Sequence, residues 1–431
     1  MPEQTEAACL LVGGTSYRKR TLLHPEGGGD VFVGVRPGGF SIYRGDEPIT
    51  HFDFEGRWQR AYLEGVHYLK SLDTSIRSIE RIRQGDSLVL RRRTLPDAES
   101  AAIDSRIRED VADLLATIDG RRFSVSERTH GGTPLAPEEV RGLLGRSLAW
   151  DASAWMDERD RYHATYGPLP FLPPTCPNPL ILQAAVSPGF GRAGGRGSRR
   201  RTVEEFEAHA EAVERLVGRR LACCRDIFVD GLDPVGRPAE ETSRIVEATV
   251  RRYPLGLPSR PAAVDEEARP QGSIQAMIDD FSGPRPRPDL WLHLKGWGLT
   301  CLTLGIESGD PTIRATYGKM WDNDLLAPIV EDLRDAQIVS DLVVLVGVGG
   351  AEDAAPHVEA TIALVRSLPP STIRRLYLVD ARTFEGAPAD ASPLSDRESA
   401  EQTATLKAGL SSGSGQGRPV VIVYNADKQP I

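Results

Sequence analysis

Cysteine is scarce in this chain. Five occur among 431 residues: Cys9, Cys176, Cys223, Cys224 and Cys301. No Cys-x-x-Cys pair exists and no His/Cys spacing reads as a zinc site, so neither a zinc module nor a disulfide framework organises the sequence, and no metal ligands are expected. Long apolar runs are missing too, and none approaches the roughly 18 residues of a membrane-spanning helix. The segment MPEQTEAACLLVGG has no basic stretch ahead of its short apolar run, unlike a secretory signal, so the expected location is cytoplasmic. An excess of positive charge is also lacking. The net charge of −9 argues against a nucleic acid held by a global positive field. Phosphate-binding Gly-x4-Gly-Lys loops, Gly-x-Ser-x-Gly elbows and His-Glu-x-x-His helices do not occur. A small-molecule substrate remains the expected partner, and nothing in the sequence indicates an oligomeric state.

What is present is an ordinary globular composition, 40% hydrophobic and 26% charged, long enough for two or three domains. The first third alternates apolar and polar residues, with turns at Pro37-Gly38-Gly39, Gly45-Asp46 and Glu55-Gly56. That predicts a strand meander over roughly 30 to 93, within a β-rich leader domain of residues 1–95. Helices are predicted at Ala101–Ile118, Pro137–Leu144 and Ser153–Tyr166, in a connector covering 96–169. The stretch Gly167–Pro179 holds six prolines and reads as a stiff linker.

Beyond the linker the pattern changes. Short apolar runs, LILQAAV, DIFVDG, SIQAMIDD, CLTLGIE, SDLVVLVG and LYLVD, alternate with helical stretches at Val203–Val217, Glu240–Arg252, Asp289–Trp297, Asp324–Ala336 and His357–Leu368. This alternation predicts an α/β fold with a parallel sheet and crossover helices. Six βα units over residues 170–390 fit a partial (β/α)6 barrel. A C-terminal extension, 391–431, adds a helix and the strand PVVIVYN after a flexible connector, Ser411–Gly417. In such barrels the working groups lie at the C-terminal strand ends. Here those ends carry Asp230 and Asp233, Asp279 and Asp280, Glu307 and Ser308, Gly347, Gly349 and Gly350, and Asp380 and Arg382. Polar ends with backbone-exposing glycines describe a site for an amine- or hydroxyl-bearing ligand. Polar βα turns are the plainer alternative.

The strings LPFLPPTCPNPLILQA, GIESGD and VVLVGVGGAEDAAPHVEATIALVRSLP, in that order, resemble the radical S-adenosylmethionine (SAM) superfamily. The resemblance covers roughly Leu169–Asp380, and HFDFEGRWQRAYLEG is similar to the leader domain of one subgroup. It implies the same partial (β/α)6 barrel and a SAM cofactor. In that superfamily a Cys-x3-Cys-x2-Cys loop after the first strand ligates a [4Fe–4S] cluster. Here the corresponding positions fall on Pro188, Arg192 and Gly195, and Leu180–Leu221 contains no cysteine. A cluster is therefore not expected.

The loop offers Arg192, Arg196, Arg199, Arg200 and Arg201 among five glycines. Thr202 and Glu205 fit a capping box behind it. The loop reads either as an anion site, with Arg192 and Arg196 gripping a carboxylate, or as a solvated basic run. The resemblance further implies that Glu307 and Ser308 contact the ribose and methionine of SAM, and that Gly347, Gly349 and Gly350 pack near adenine. Asp230 or Asp233 would take the amino group. Gly347–Asp353 also has a faint dinucleotide-fingerprint look, but Glu352 stands at the third glycine. His51-x-Asp53 is an acid/base pair or a cross-strand hydrogen bond. Two functions are expected: a cluster-less SAM enzyme, a transferase or lyase with Asp279, Asp280, Glu307 and Asp380 as catalytic candidates, or a silent binding or scaffold protein of the same fold.

Overall fold

The computed structural model describes residues 19–25, 29–36, 39–45, 47–84, 87–120, 123–127, 135–167, 179–186, 199–218, 221, 224, 226–253, 272–279, 281–383, 392–411 and 417–424. Of the sequence candidates, Arg192, Arg196 and Asp280 lie outside the described residues. So does most of the proline-rich stretch. The chain divides into two compact units. One comprises Met1–Thr165, Glu214–Cys223 and Gln429–Ile431, and the other Tyr166–Val213 and Cys224–Lys428.

The first unit is built on a nine-stranded sheet: β1 (Lys19–Pro25), β2 (Val31–Arg36), β3 (Gly39–Arg44), β4 (Ile49–Phe52), β5 (Trp58–Leu63), β6 (Val66–Lys70), β7 (Ile76–Gln84), β8 (Ser87–Thr94) and β9 (Phe123–Glu127). Strands β1 to β8 run as an antiparallel meander, and β9 adds beside β1. Period-2 alternation puts Val31, Val33, Phe40, Ile42, Phe52 and Trp58 into one core. Helix α1 (Asp97–Gly120) covers it with Ile107, Val111, Leu114 and Ile118, spaced four, three and four apart. Helices α2 (Pro137–Leu148) and α3 (Ala152–Thr165) supply Leu144 and Trp155.

Two buried cations are paired within this unit. Arg57 Nε donates to Asp53 Oδ2 at 2.7 Å and its Nη1 to Glu158 Oε1 at 2.5 Å. Lys70 Nζ donates to both oxygens of Asp104 at 2.8 Å, with the Trp155 ring 3.9 Å away. His51 Nδ1 lies 2.6 Å from Ser41 Oγ on the neighbouring strand, a cross-strand hydrogen bond.

The second unit is a seven-stranded parallel sheet: β10 (Leu180–Gln183), β13 (Ile227–Asp230), β14 (Ile274–Ile278), β15 (Leu299–Glu307), β16 (Val339–Val346), β17 (Ile373–Asp380) and β18 (Val420–Tyr424). A two-residue ribbon, β11 (Ala185–Val186) with β12 (Arg199–Arg200), flanks the first strand. Helices α4 (Val203–Val217), α5 (Ala239–Arg252), α6 (Pro288–Gly296), α7 (Pro311–Thr316), α8 (Leu326–Asp335), α9 (Ala354–Ser367) and α10 (Asp396–Ser411) lie between the strands.

The strands stand in strict sequence order without a reversal. That is the order of an incomplete (β/α) barrel and not of a doubly wound sheet. Strands β10, β14 and most of β15 and β16 are buried on both faces, which is why their sequences read as unbroken apolar runs. Among the described residues no helix is long and apolar enough to cross a membrane.

Candidate functional site

The C-terminal ends of β13, β14 and β15 carry the chemistry. β13 ends at Asp230, and the turn after it places Gly231 at φ +64° and Asp233 at φ +40°. Asp233 Oδ1 accepts the backbone N–H of Asp279 at 2.6 Å, which ties the end of β14 to the loop of β13. Gln183, the last residue of β10, donates its side-chain amide to Asp230 Oδ2 at 3.1 Å. Arg237 clamps the same loops from behind, donating to the carbonyls of Ala184, Gly231 and Leu232.

β15 delivers Glu307. The pairing of β15 with β16 slips by one residue between Gly305 and Glu307. This bulge re-aims the side chain and leaves Glu307 at φ +50° with no exposed surface. Gly305 is required just below it. A Cβ there would stand 2.5 Å from Asp279 Oδ1, 2.8 Å from Met277 Cε and 3.1 Å from Glu307 Oε1. The missing side chain makes the space in which the two carboxylates converge.

Lys319 occupies the middle of that space. Its ammonium donates to Asp279 Oδ1 and to Glu307 Oε1, and its side chain is 3% exposed. The segment that carries it leaves β15 through α7, capped by Asp310, which accepts from the N–H groups of Thr312 and Ile313. Arg314 fixes the return. It donates to the carbonyls of Ser308 and Trp321, both at 2.9 Å, under the Trp321 ring. Trp321 packs on Phe281, with centroids 4.7 Å apart. Ile313 and Tyr317 lie on Val343, Leu345, Tyr377 and Val379. Lys319 points inward while Met320 beside it is 83% exposed.

Charge is unbalanced here. Asp279 and Glu307 share one ammonium, and Glu307 Oε2 is buried with no hydrogen-bond partner among the described residues. Burial, with Asp279 adding to it and Lys319 opposing, pushes Glu307 up to about 8. Burial tends to strip the proton from Lys319, but the two carboxylates outweigh it and raise its pKa. Asp230 is pushed up to about 7 by burial first, and then by Asp233 and Asp279.

The other sequence candidates stand elsewhere. Ser308 is buried against His357 of α9, its Oγ 2.8 Å from Nδ1. Burial drives that imidazole down to about 4, so it is neutral and the contact holds strand end to helix. Asp380, two strands along from β15, is gripped by Arg382 at 2.7 Å, and Arg382 also holds Asp396 at 2.7 Å. Gly347, Gly349 and Gly350 all have positive φ. The Gly347 N–H donates to Gln402 of α10 at 2.7 Å, and a Cβ on Gly349 would meet Asp353 and Ile313. The capping box forms, with Glu205 N–H donating to Thr202 Oγ1 at 3.2 Å and Thr202 N–H to Glu205 Oε2 at 3.0 Å. Lys319, Gly305 and Arg314 were not singled out by the sequence.

Cys301 lies inside β15 beside Asp341 and Arg374, its thiol pushed up to about 12 by burial and then by Asp341. That is the opposite of an iron ligand. Among the described residues no group of three His, Cys, Asp or Glu side chains is placed to hold a metal ion.

Among solved structures, the chain is similar to coproporphyrinogen III oxidase HemN from Escherichia coli, a radical SAM enzyme. The identity is 14%, over 43% of this chain and 41% of that one, with a TM-score of 0.30. It is similar to the radical SAM methyltransferase TsrM from Kitasatospora setae, at 13% identity over 46% and 35% with a TM-score of 0.30. It is also similar to SuiB from Streptococcus suis, at 8% over 84% and 71% with a TM-score of 0.37. The chain spans less than two thirds of HemN and of TsrM. These likenesses assign no residue of this chain a role. No family profile and no curated protein matches the chain.

Proposed function

We propose that the second unit binds S-adenosylmethionine at its strand ends and uses the sulfonium in polar chemistry without an iron–sulfur cluster. The observation that carries this reading is the gathering of Asp230, Asp233, Asp279 and Glu307 at three adjacent strand ends, with Lys319 donating to the last two. The donor set suits a cation. Carboxylates in excess, one with a buried oxygen that no described residue partners, complement a sulfonium and an amino group. It does not suit a [4Fe–4S] cluster, because no cysteine lies between Leu180 and Leu221.

When bound, SAM supplies a carbon already activated by its sulfonium. The chain's own residues then have three tasks. Asp279 and Glu307 hold positive charge in a site shielded from water, where each interaction is stronger. Asp233 fixes the backbone of Asp279. Asp230, with its pKa near neutrality, takes the proton from an attacking nucleophile. Alkyl transfer, cyclisation and elimination all fit this arrangement.

The test is turnover. Purified protein incubated with SAM and a small-molecule extract should consume SAM, and Asp230→Asn should lower the rate by about 10²–10⁴-fold. Unchanged SAM in the wild-type reaction contradicts the enzyme reading. A second reading has its own observation: Lys319 already satisfies Asp279 and Glu307 from within, as in a silent barrel kept for binding or scaffolding. SAM that binds without being consumed supports that reading instead.

A further inference from the structure

The seat between Asp279 and Glu307 has the makings of a ligand site apart from any catalytic role. Three independent features meet there. Gly305 opens a space that a single methyl group would close. A fully buried oxygen, Glu307 Oε2, has no hydrogen-bond partner among the described residues. A cation is already seated, and it is the tip of a flexible side chain carried on an irregular segment, Tyr317–Asp322. Other buried cations in this chain are held differently. Lys70 donates to both oxygens of one carboxylate, Asp104, beside two tryptophan rings, and Arg57 spans Asp53 and Glu158 through two nitrogens of a planar guanidinium. Lys319 bridges one oxygen from each of two carboxylates on neighbouring strands with a single nitrogen.

We infer that the Asp279/Glu307 seat is a binding site for an organic cation, a primary ammonium or a sulfonium, and that Lys319 is its internal occupant, with which an external cation competes. A lysine suits this part. It is a compact point charge on four methylenes, so it leaves without breaking a planar, bidentate geometry. The cost of vacating is met only by another cation, since an unpaired buried carboxylate is strongly unfavourable. The site thus selects for positive charge and against neutral molecules of the same shape. The inference shares the strand-end site with the function proposed above but does not depend on SAM being the ligand.

The experiment is chemical rescue. Lys319→Ala deletes a fragment equivalent to propylammonium. The variant should melt below the wild type. Propylammonium chloride should raise its melting temperature by several degrees over sodium chloride at equal ionic strength, and trimethylsulfonium chloride should do the same. The wild type, its seat filled, should not respond. No rise in the variant beyond that given by sodium chloride overturns the inference. If Lys319→Ala does not fold, Lys319→Ala with Glu307→Gln keeps Asp279 as the one carboxylate of the seat, and a rise in the same direction is expected, its absence overturning the inference.

SAM titration separates the two ideas. A wild type that fails to bind SAM removes the function proposed above, while rescue by propylammonium still stands. Where SAM binds, Lys319→Ala should bind it about tenfold more tightly, and weaker binding shows that Lys319 helps the ligand and is not its competitor.

Discussion

Lys319 is one of only six lysines among 52 basic side chains. In a chain that uses arginine almost everywhere, a lysine in the loop after a buried strand stands out. That count was the available signal for the one central site residue the motifs did not reveal. The four carboxylates were legible because strand ends in a parallel sheet are positions, and Asp230, Asp233, Asp279 and Glu307 fall on them by counting. Their partner was not legible, because it comes back from a segment twelve residues past Glu307 that no periodicity positions. Gly305 was hidden for a related reason: it looks like any strand glycine until the neighbouring side chains are in place.

Two outcomes belong at this scale. Glu307 ordinarily titrates near 4.5, and the fold raises it to about 8. Between those values the folded chain keeps a proton that the unfolded chain has lost. This contribution to stability is fully present below 4.5 and disappears as pH rises through about 8, with a slope of at most about 1.4 kcal/mol per pH unit. Asp230 adds a fall of the same sign up to about 7. Melting temperatures between pH 5 and 9 should therefore decline, and Glu307→Gln should flatten the decline above pH 7. An identical slope in the variant would show that Glu307 is not the group. Gly305→Ala should displace Asp279 and the Lys319 bridge at a cost of about 1–3 kcal/mol, read as a lowered denaturant midpoint.

Among elements, the buried strands were the most legible, since a strand covered on both faces writes itself as an apolar run. The leader meander was legible as alternation over 30 to 93, but its outer strands β1 and β9 were not. Lys19–Pro25 and Phe123–Glu127 are short, and their pairing joins segments about 100 residues apart. Helix α7 escaped because six residues give less than two turns of pattern. Its existence depends on the Asp310 cap and Pro311 at its first position.

Strand end and helix meet most closely at Gly309, where a Cβ would stand 2.3 Å from the Ala360 carbonyl oxygen and 2.5 Å from Thr361 Cα of α9. Backbone cannot step aside as a side chain can. Gly309→Ala should cost at least about 1–3 kcal/mol. Gly296→Ala, with nothing within 4 Å, should be neutral or stabilising by up to about 1 kcal/mol. Paired urea titrations compare them, and equal midpoints would contradict the close packing.

For the whole molecule, the sequential order of seven parallel strands places every strand end on one rim, so residues as far apart in sequence as Gln183 and Lys319 come to it together. Gln183 and Asp230 at one side, and Glu307 with Lys319 in the middle, are brought together by topology alone. The net charge of −9 is consistent with a cationic ligand and not with a polyanion. The order of the strands also explains why the site could be read in outline from sequence while the cysteine-free loop after β10 could only be read for what it lacks. The measurement that tests the account most directly is calorimetric titration of SAM into the full-length protein, with Asp279→Asn beside it. The account predicts micromolar binding by the wild type and at least tenfold weaker binding by the variant. No heat at any accessible concentration, or equal binding by both proteins, would contradict it.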